Sequence, residues 1–62
     1  MKYKELARYL NSKNCYFLKE GGEHEIWINH GSGLKSSVPR HKEIKRGTIR
    51  GICRDLDIPA PF

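Results

Sequence analysis

An apolar stripe with three- and four-residue spacing runs through the first ten residues, at Tyr3, Leu6, Ala7 and Leu10. This spacing predicts a helix that ends in the Asn- and Ser-rich segment 11–14. The same spacing returns near the other end of the chain, at Ile49, Ile52, Cys53 and Leu56. It predicts a second helix that begins around residues 46–48 and ends near Leu56, before a Pro-rich tail.

Between the two helices, apolar and aromatic runs separated by turn residues predict three strands. The first covers residues 15–20, and Gly21 with Gly22 then marks a tight hairpin turn. The second covers residues 23–29, and the third covers residues 34–38 and is closed by Pro39. Such short strands in succession predict an antiparallel meander.

The predicted order is therefore helix, strand, strand, strand, helix. Both helices can bury their stripes on one face of the sheet, which gives a two-layer α+β fold with a three-stranded antiparallel sheet. We expect Phe17 and Trp27 mainly in its core and the other sheet face open to a ligand. With 62 residues, the chain has room for a single domain, over residues 1–62, and for a small core only.

Basic residues are concentrated in the second half of the chain. The chain has 12 Lys and Arg against 7 Asp and Glu, a net charge of +5. Residues 34–62 hold seven of the basic and three of the acidic residues. A basic half attracts a polyanion such as nucleic acid, an anionic membrane or an acidic protein.

The densest basic stretch leads into the second predicted helix. Backbone N–H groups at a helix start, with Lys and Arg beside them, form a natural seat for phosphate. Thr48 is expected either to cap that helix or to donate a hydrogen bond to a phosphate. The candidate RNA-binding residues are Lys35, Arg40, His41, Lys42, Lys45, Arg46, Thr48 and Arg50. An exposed connecting loop with no ligand is the alternative.

Several classes of protein are disfavoured by what the sequence lacks. No signal peptide and no membrane-spanning apolar run is evident, so we expect a cytoplasmic protein with reduced thiols at Cys15 and Cys53. The three histidines and two cysteines have no zinc-finger spacing, and we expect no metal site and no cofactor.

His24 is the candidate for chemistry, because it opens the second strand directly after a tight turn. An imidazole titrates near a pH of about 6.5 and can take or give a proton. In RNA, a base can remove the 2′-OH proton, the oxygen attacks phosphorus, and an acid protonates the leaving 5′-oxygen; DNA lacks that hydroxyl. Glu23 and Glu25 are expected to be solvated charges on the opposite strand face, where they would repel RNA phosphate. A surface histidine with no role is the alternative.

Longer motifs carry a resemblance to a known family. They are Gly-x-His at residues 22–24, an aromatic residue three positions later at Trp27, the segment VPRH at residues 38–41, and EIKRGTIR at residues 43–50. Together with the two helices, these motifs resemble the HicA/YcfA family of small toxins from bacterial type II toxin–antitoxin systems. The resemblance covers nearly the whole chain.

The resemblance implies a double-stranded-RNA-binding-domain-like α-β-β-β-α fold and a metal-independent mRNA interferase, an endoribonuclease, with His24 as its catalytic residue. It implies mRNA and a HicB-like antitoxin as partners, and it is compatible with a homodimer or a toxin–antitoxin hetero-oligomer. Two other functions fit the same residues: a non-catalytic RNA-binding module of this fold, or a small protein that binds and regulates an antitoxin.

Overall fold

The computed structural model describes residues 1–62 and has the predicted order of elements. They are α1 (Tyr3–Ser12), β1 (Cys15–Gly21), β2 (His24–Asn29), β3 (Lys35–Pro39) and α2 (Arg46–Asp55). The strands form one antiparallel sheet in the order β1-β2-β3. The α+β fold of the double-stranded-RNA-binding-domain type is thus confirmed. Neither helix is long and apolar enough to cross a membrane.

One cluster of ten buried residues lies between the helices and one face of the sheet. Its members are Leu6, Leu10, Cys15, Trp27, Val38, Ile44, Ile49, Ile52, Cys53 and Leu56. Burial raises the pKa of both cysteine thiols, because a thiolate is poorly solvated in this core. The two cysteines therefore serve as small hydrophobic residues.

Phe17 was expected in the core, but this prediction is wrong, because its side chain is 47% exposed. Trp27, its partner on β2, is only 3% exposed, as expected. β1 lies at the edge of the sheet, and its register shifts between Phe17 and Lys19. A bulge of this kind bends and twists a strand locally, which leaves Phe17 outside the core that covers Trp27.

The hairpin turn lies one residue later than the sequence predicts. Gly21 is still part of β1 and pairs with His24, so the two loop residues are Gly22 and Glu23. Gly22 has a φ of +76°, which glycine adopts without a steric cost. A glycine with positive φ in the first loop position matches the twist of the flanking strands. The turn therefore sets His24 as the first residue of β2.

Asn29 links the far end of the sheet to α2, a role that the sequence did not reveal. Its buried side chain donates from Nδ2 to the carbonyl of Leu56 at 2.7 Å. Its Oδ1 accepts from the backbone N–H of Gly31 at 2.8 Å. The buried amide thus satisfies a carbonyl at the end of α2 and holds the turn that follows β2.

Candidate nucleic-acid interface

His24 projects from the face of the sheet that the helices leave open. Successive residues of a strand point to opposite faces, so His24 shares its face with Ile26 and Ile28. Glu25 and Trp27 point instead toward the helices. His24 is exposed, and its strand neighbours are Gly21 on one side and Pro39 on the other. The imidazole is therefore accessible and rests on a rigid element.

Glu25 was expected to be a solvated charge, but this prediction is wrong, because its carboxylate is hydrogen-bonded within the protein. Its Oε1 accepts hydrogen bonds from the Tyr3 hydroxyl at 2.5 Å and from Nε1 of Trp27 at 2.9 Å. Burial raises the pKa of Tyr3 to about 12, and the hydrogen bond and charge of Glu25 act in the same direction. Glu25 thus ties α1 to the sheet, while Glu23 stays exposed in the turn.

Ionisation of the Tyr3 phenol, which burial and the hydrogen bond to Glu25 both oppose, makes the free energy of unfolding fall at high pH. The phenol of unfolded Tyr3 loses its proton near pH 10, whereas the folded group holds its proton to about pH 12. The contribution of protonated Tyr3 to the free energy of unfolding is therefore complete below pH 10 and is lost between pH 10 and 12. We expect Tyr3→Phe to be less stable at neutral pH by about 1 kcal/mol and to decline less over that range, measured by urea unfolding at several pH values.

Tyr16→Phe is the matched control, because it removes an exposed hydroxyl and leaves Glu25 untouched. Its free energy of unfolding should decline between pH 10 and 12 as much as that of the wild type. A Tyr3→Phe variant with an undiminished decline would show that another group causes the loss.

A groove runs beside β3, between the open sheet face and the start of α2. We call it the histidine groove; it is lined by His24, Ser37, Pro39, His41, Glu43, Ile44, Lys45 and Thr48. His24 pairs with Pro39, the last residue of β3, and the chain then turns toward α2. The fold thus brings three of the candidate RNA-binding residues, His41, Lys45 and Thr48, into one groove with His24.

The start of α2 presents unsatisfied donors at this groove. Lys45 is the N-cap residue, but no side chain caps the helix there, and its first turn holds no acidic residue. Thr48 lies inside the helix, so the expected cap is wrong, and its side chain is exposed. Free N–H groups and the helix dipole favour an anion at such an end.

A second groove adjoins the first at His41. We call it the basic groove; it is lined by Lys2, Tyr3, Lys4, Glu25, Arg40, His41 and Lys42. Lys2 and Lys4 were not among the candidates, because they lie at the other end of the sequence from the basic residues that lead into α2. Only the packing of α1 against the sheet brings them to the same surface. The two grooves together form a continuous basic surface around His41.

The loop between β3 and α2 is pinned to the beginning of the chain. The backbone N–H of Tyr3 donates to the carbonyl of Lys42 at 3.0 Å, and Ile44 donates to the carbonyl of Met1 at 2.8 Å. Ile44 is also buried in the core. Glu43 binds the amino group of Met1 at 2.7 Å, and this hydrogen bond, together with the positive charge of its donor, lowers the pKa of Glu43. The loop that carries His41 is therefore held in place.

The other candidate cations lie apart from the histidine groove. The guanidinium of Arg40 binds Glu20 at 2.7 Å and the carbonyl of Gly22 at 3.2 Å, which braces the hairpin. Lys35 pairs with Ile28 at the other end of β3. Arg46 and Arg50 lie over the ring of Phe62, at 4.7 and 5.4 Å from its centroid. No group of three or more His, Cys, Asp or Glu side chains is placed to hold a metal ion.

One comparison with known proteins gives a match. A family model described as the HicA toxin of bacterial toxin–antitoxin systems matches residues 3–58 of the 62. The match spans both helices, the sheet and every lining residue of the two grooves except Lys2. No curated protein and no solved structure matches the chain.

Proposed function

The chain belongs to the family of HicA toxins of bacterial toxin–antitoxin systems, and on this premise we propose that it is an endoribonuclease that cleaves mRNA with His24. It is thus the toxin of such a system, and its family implies an antitoxin partner. We propose further that residues 1–62 act as one domain in the cytoplasm, and that the antitoxin is HicB-like and covers His24.

The histidine groove is the observation that carries this proposal. An exposed imidazole lies in one groove with a lysine, a threonine and the uncapped start of a helix. Hydrogen-bond donors and positive charge suit a phosphodiester, whose two free oxygens share a negative charge. The imidazole suits proton transfer at the neighbouring ribose. The histidine groove therefore supports both the binding of a phosphodiester and proton transfer at the ribose beside it.

Each part of the groove has a role in the proposed reaction. The N–H groups at the start of α2, the ammonium of Lys45 and the hydroxyl of Thr48 bind the phosphate and stabilise the charge that develops on it. His24 takes the proton from the 2′-hydroxyl or gives one to the leaving oxygen. The nucleophile belongs to the RNA, so a small protein with few functional groups can catalyse the step.

Purified protein incubated with RNA in the presence of a chelator tests the proposal. We expect RNA fragments to appear, because no step in the proposed reaction uses a metal ion. Binding without cleavage would support a non-catalytic RNA-binding module instead. Absence of both would leave binding and regulation of the antitoxin as the function.

The dependence of RNA binding on salt tests the assignment of Lys45. Each phosphate contact made by a lysine releases counterions, so its loss lowers the slope of log K against log salt by about 1. We expect Lys45→Ala to show this change in fluorescence anisotropy titrations of an inactive His24→Ala background. Affinity should fall for all RNA sequences alike, because a phosphate contact does not read bases.

Lys13→Ala is the matched control for Lys45. Lys13 follows α1 at the end of the sheet opposite His24, and its ammonium lies 5.8 Å from the centroid of the Tyr9 ring. Its removal changes the net charge by the same amount without touching either groove. Equal slopes for the two variants would contradict the placement of RNA in the histidine groove.

A further inference from the structure

The histidine groove contains a second imidazole, and we infer that His41 is the second proton-transfer residue of the proposed ribonuclease. The inference rests on the proposed function, because it completes the same reaction. Attack of the 2′-oxygen on phosphorus needs a base that removes the 2′-OH proton. Departure of the 5′-oxygen, on the other side of the phosphorus, benefits from an acid that protonates it. One histidine can serve only one of these places at a time.

The strand register brings His24 and His41 close together. The Cα atoms of His24 and Pro39 are partners in the sheet, which places them about 5 Å apart. His41 follows two residues later, so the two histidine Cα atoms are separated by no more than about 13 Å. Both side chains line the same groove. Two imidazoles at this separation can flank a single phosphodiester.

His41 is also held firmly enough for catalysis. Pro39 ends β3 two residues before it, and the carbonyl of Lys42 directly after it accepts the N–H of Tyr3. The loop therefore leaves the sheet and meets α1 with His41 between two fixed points. A catalytic group must be positioned by rigid neighbours, and this residue has such neighbours on both sides.

The charges around His41 suit the reacting phosphate. It lies where the histidine groove meets the basic groove, so cations approach it from α1, from the loop and from the start of α2. These groups are Lys2, Lys4, Arg40, Lys42 and Lys45, with the carboxylates of Glu25 and Glu43 and the phenol of Tyr3 on the same surfaces. Glu25 is bound to Tyr3 and Trp27, and Glu43 to the amino group of Met1.

The reaction with two imidazoles balances without any other reactant. A neutral imidazole takes the 2′-OH proton while the 2′-oxygen forms a bond to phosphorus. The bond from phosphorus to the 5′-oxygen breaks, and the other imidazole, initially protonated, gives its proton to that oxygen. The products are a 2′,3′-cyclic phosphate and a free 5′-hydroxyl. His24 and His41 exchange protonation states, and solvent restores them.

Single-turnover cleavage by His41→Asn, with His41→Gln as a second variant, tests the inference. We expect the rate constant at saturating protein to fall about 100-fold, while the Kd for RNA, measured on a 2′-deoxy analogue, stays unchanged. If His41 only binds phosphate, the Kd for RNA should rise and the rate constant at saturating protein should stay unchanged. The matched control is His30→Asn, an exposed histidine at the other end of β2 whose ring stacks on Tyr16, and it should cleave like the wild type.

An RNA substrate with sulfur in place of the 5′-bridging oxygen then separates the two roles. A thiolate departs without being protonated, so the variant that lacks the acid should regain activity and the variant that lacks the base should not. Rescue of His24→Ala or of His41→Asn, and not of both, supports the pair. Rescue of neither, or an unchanged rate for His41→Asn on ordinary RNA, overturns it.

Failure of the inference is distinguishable from failure of the proposed function. A wild-type protein that cleaves RNA, together with an inactive His24→Ala variant and a fully active His41→Asn variant, would leave the function standing and reject His41. An inactive wild-type protein would reject both.

Discussion

Replacing His24 by alanine should lower the rate of RNA cleavage by a factor of about 10² to 10⁴, the range that one proton-transfer group contributes. Growth arrest on expression should be lost with it. The side chain is exposed and makes no hydrogen bond to the protein, so we expect unfolding free energies within about 0.5 kcal/mol of the wild type. RNA binding should persist, because Lys45 and the start of α2 are unchanged.

His30→Ala is the matched control for this experiment. It removes the same side chain from an exposed position in the turn that directly follows β2. Its cleavage rate should equal that of the wild type. If His24→Ala cleaves RNA and arrests growth as the parent does, His24 has no catalytic role and the groove must act in another way.

Replacing Leu10 by alanine should lower the free energy of unfolding so far that a measurable fraction of the molecules is unfolded. Leu10 is completely buried in the single core cluster, and such a truncation costs about 2–5 kcal/mol through lost transfer energy and the cavity left behind. A chain of 62 residues has a total stability of only about 3–9 kcal/mol. We expect the urea midpoint to fall sharply, measured by circular dichroism on the isolated toxin, since a bound antitoxin would stabilise the folded state.

Leu34→Ala is the control for Leu10, because it deletes the same atoms from a side chain that is 45% exposed. Its unfolding free energy should change by less than about 0.5 kcal/mol. Equal losses for the two variants would mean that Leu10 does not contribute more than a surface leucine, and that the core between α1 and the sheet is loosely packed.

The order of elements was predictable because local patterns encode it. The three- and four-residue spacing predicted both helices within a few residues of their ends, and apolar and aromatic runs separated by turn residues predicted all three strands. The hairpin turn was misplaced by one residue, since either Gly21 or Gly22 could begin it by composition. Phe17 was assigned wrongly because hydrophobicity does not show that a strand lies at an edge or contains a bulge.

The candidate site was predictable only in part. The Gly-x-His context singled out His24, and the run of cations before α2 singled out Lys45 and its neighbours. Lys2 and Lys4 were missed, because no local signal joins the first helix to residues 40–45. Glu25 was expected to be a solvated charge on the strand face opposite His24, yet its carboxylate accepts hydrogen bonds from Tyr3 and Trp27.

The sequence by itself determined the family, the order of helices and strands and the identity of the histidine that opens β2, because motifs and periodicity are properties of neighbouring residues. Only the tertiary structure decided which groups share a groove with His24. The pairing of β2 with β3 and the attachment of the following loop to α1 bring His41, Lys45 and Thr48 there. Distances across a fold depend on how strands pair and helices pack, and those contacts join residues far apart in the chain.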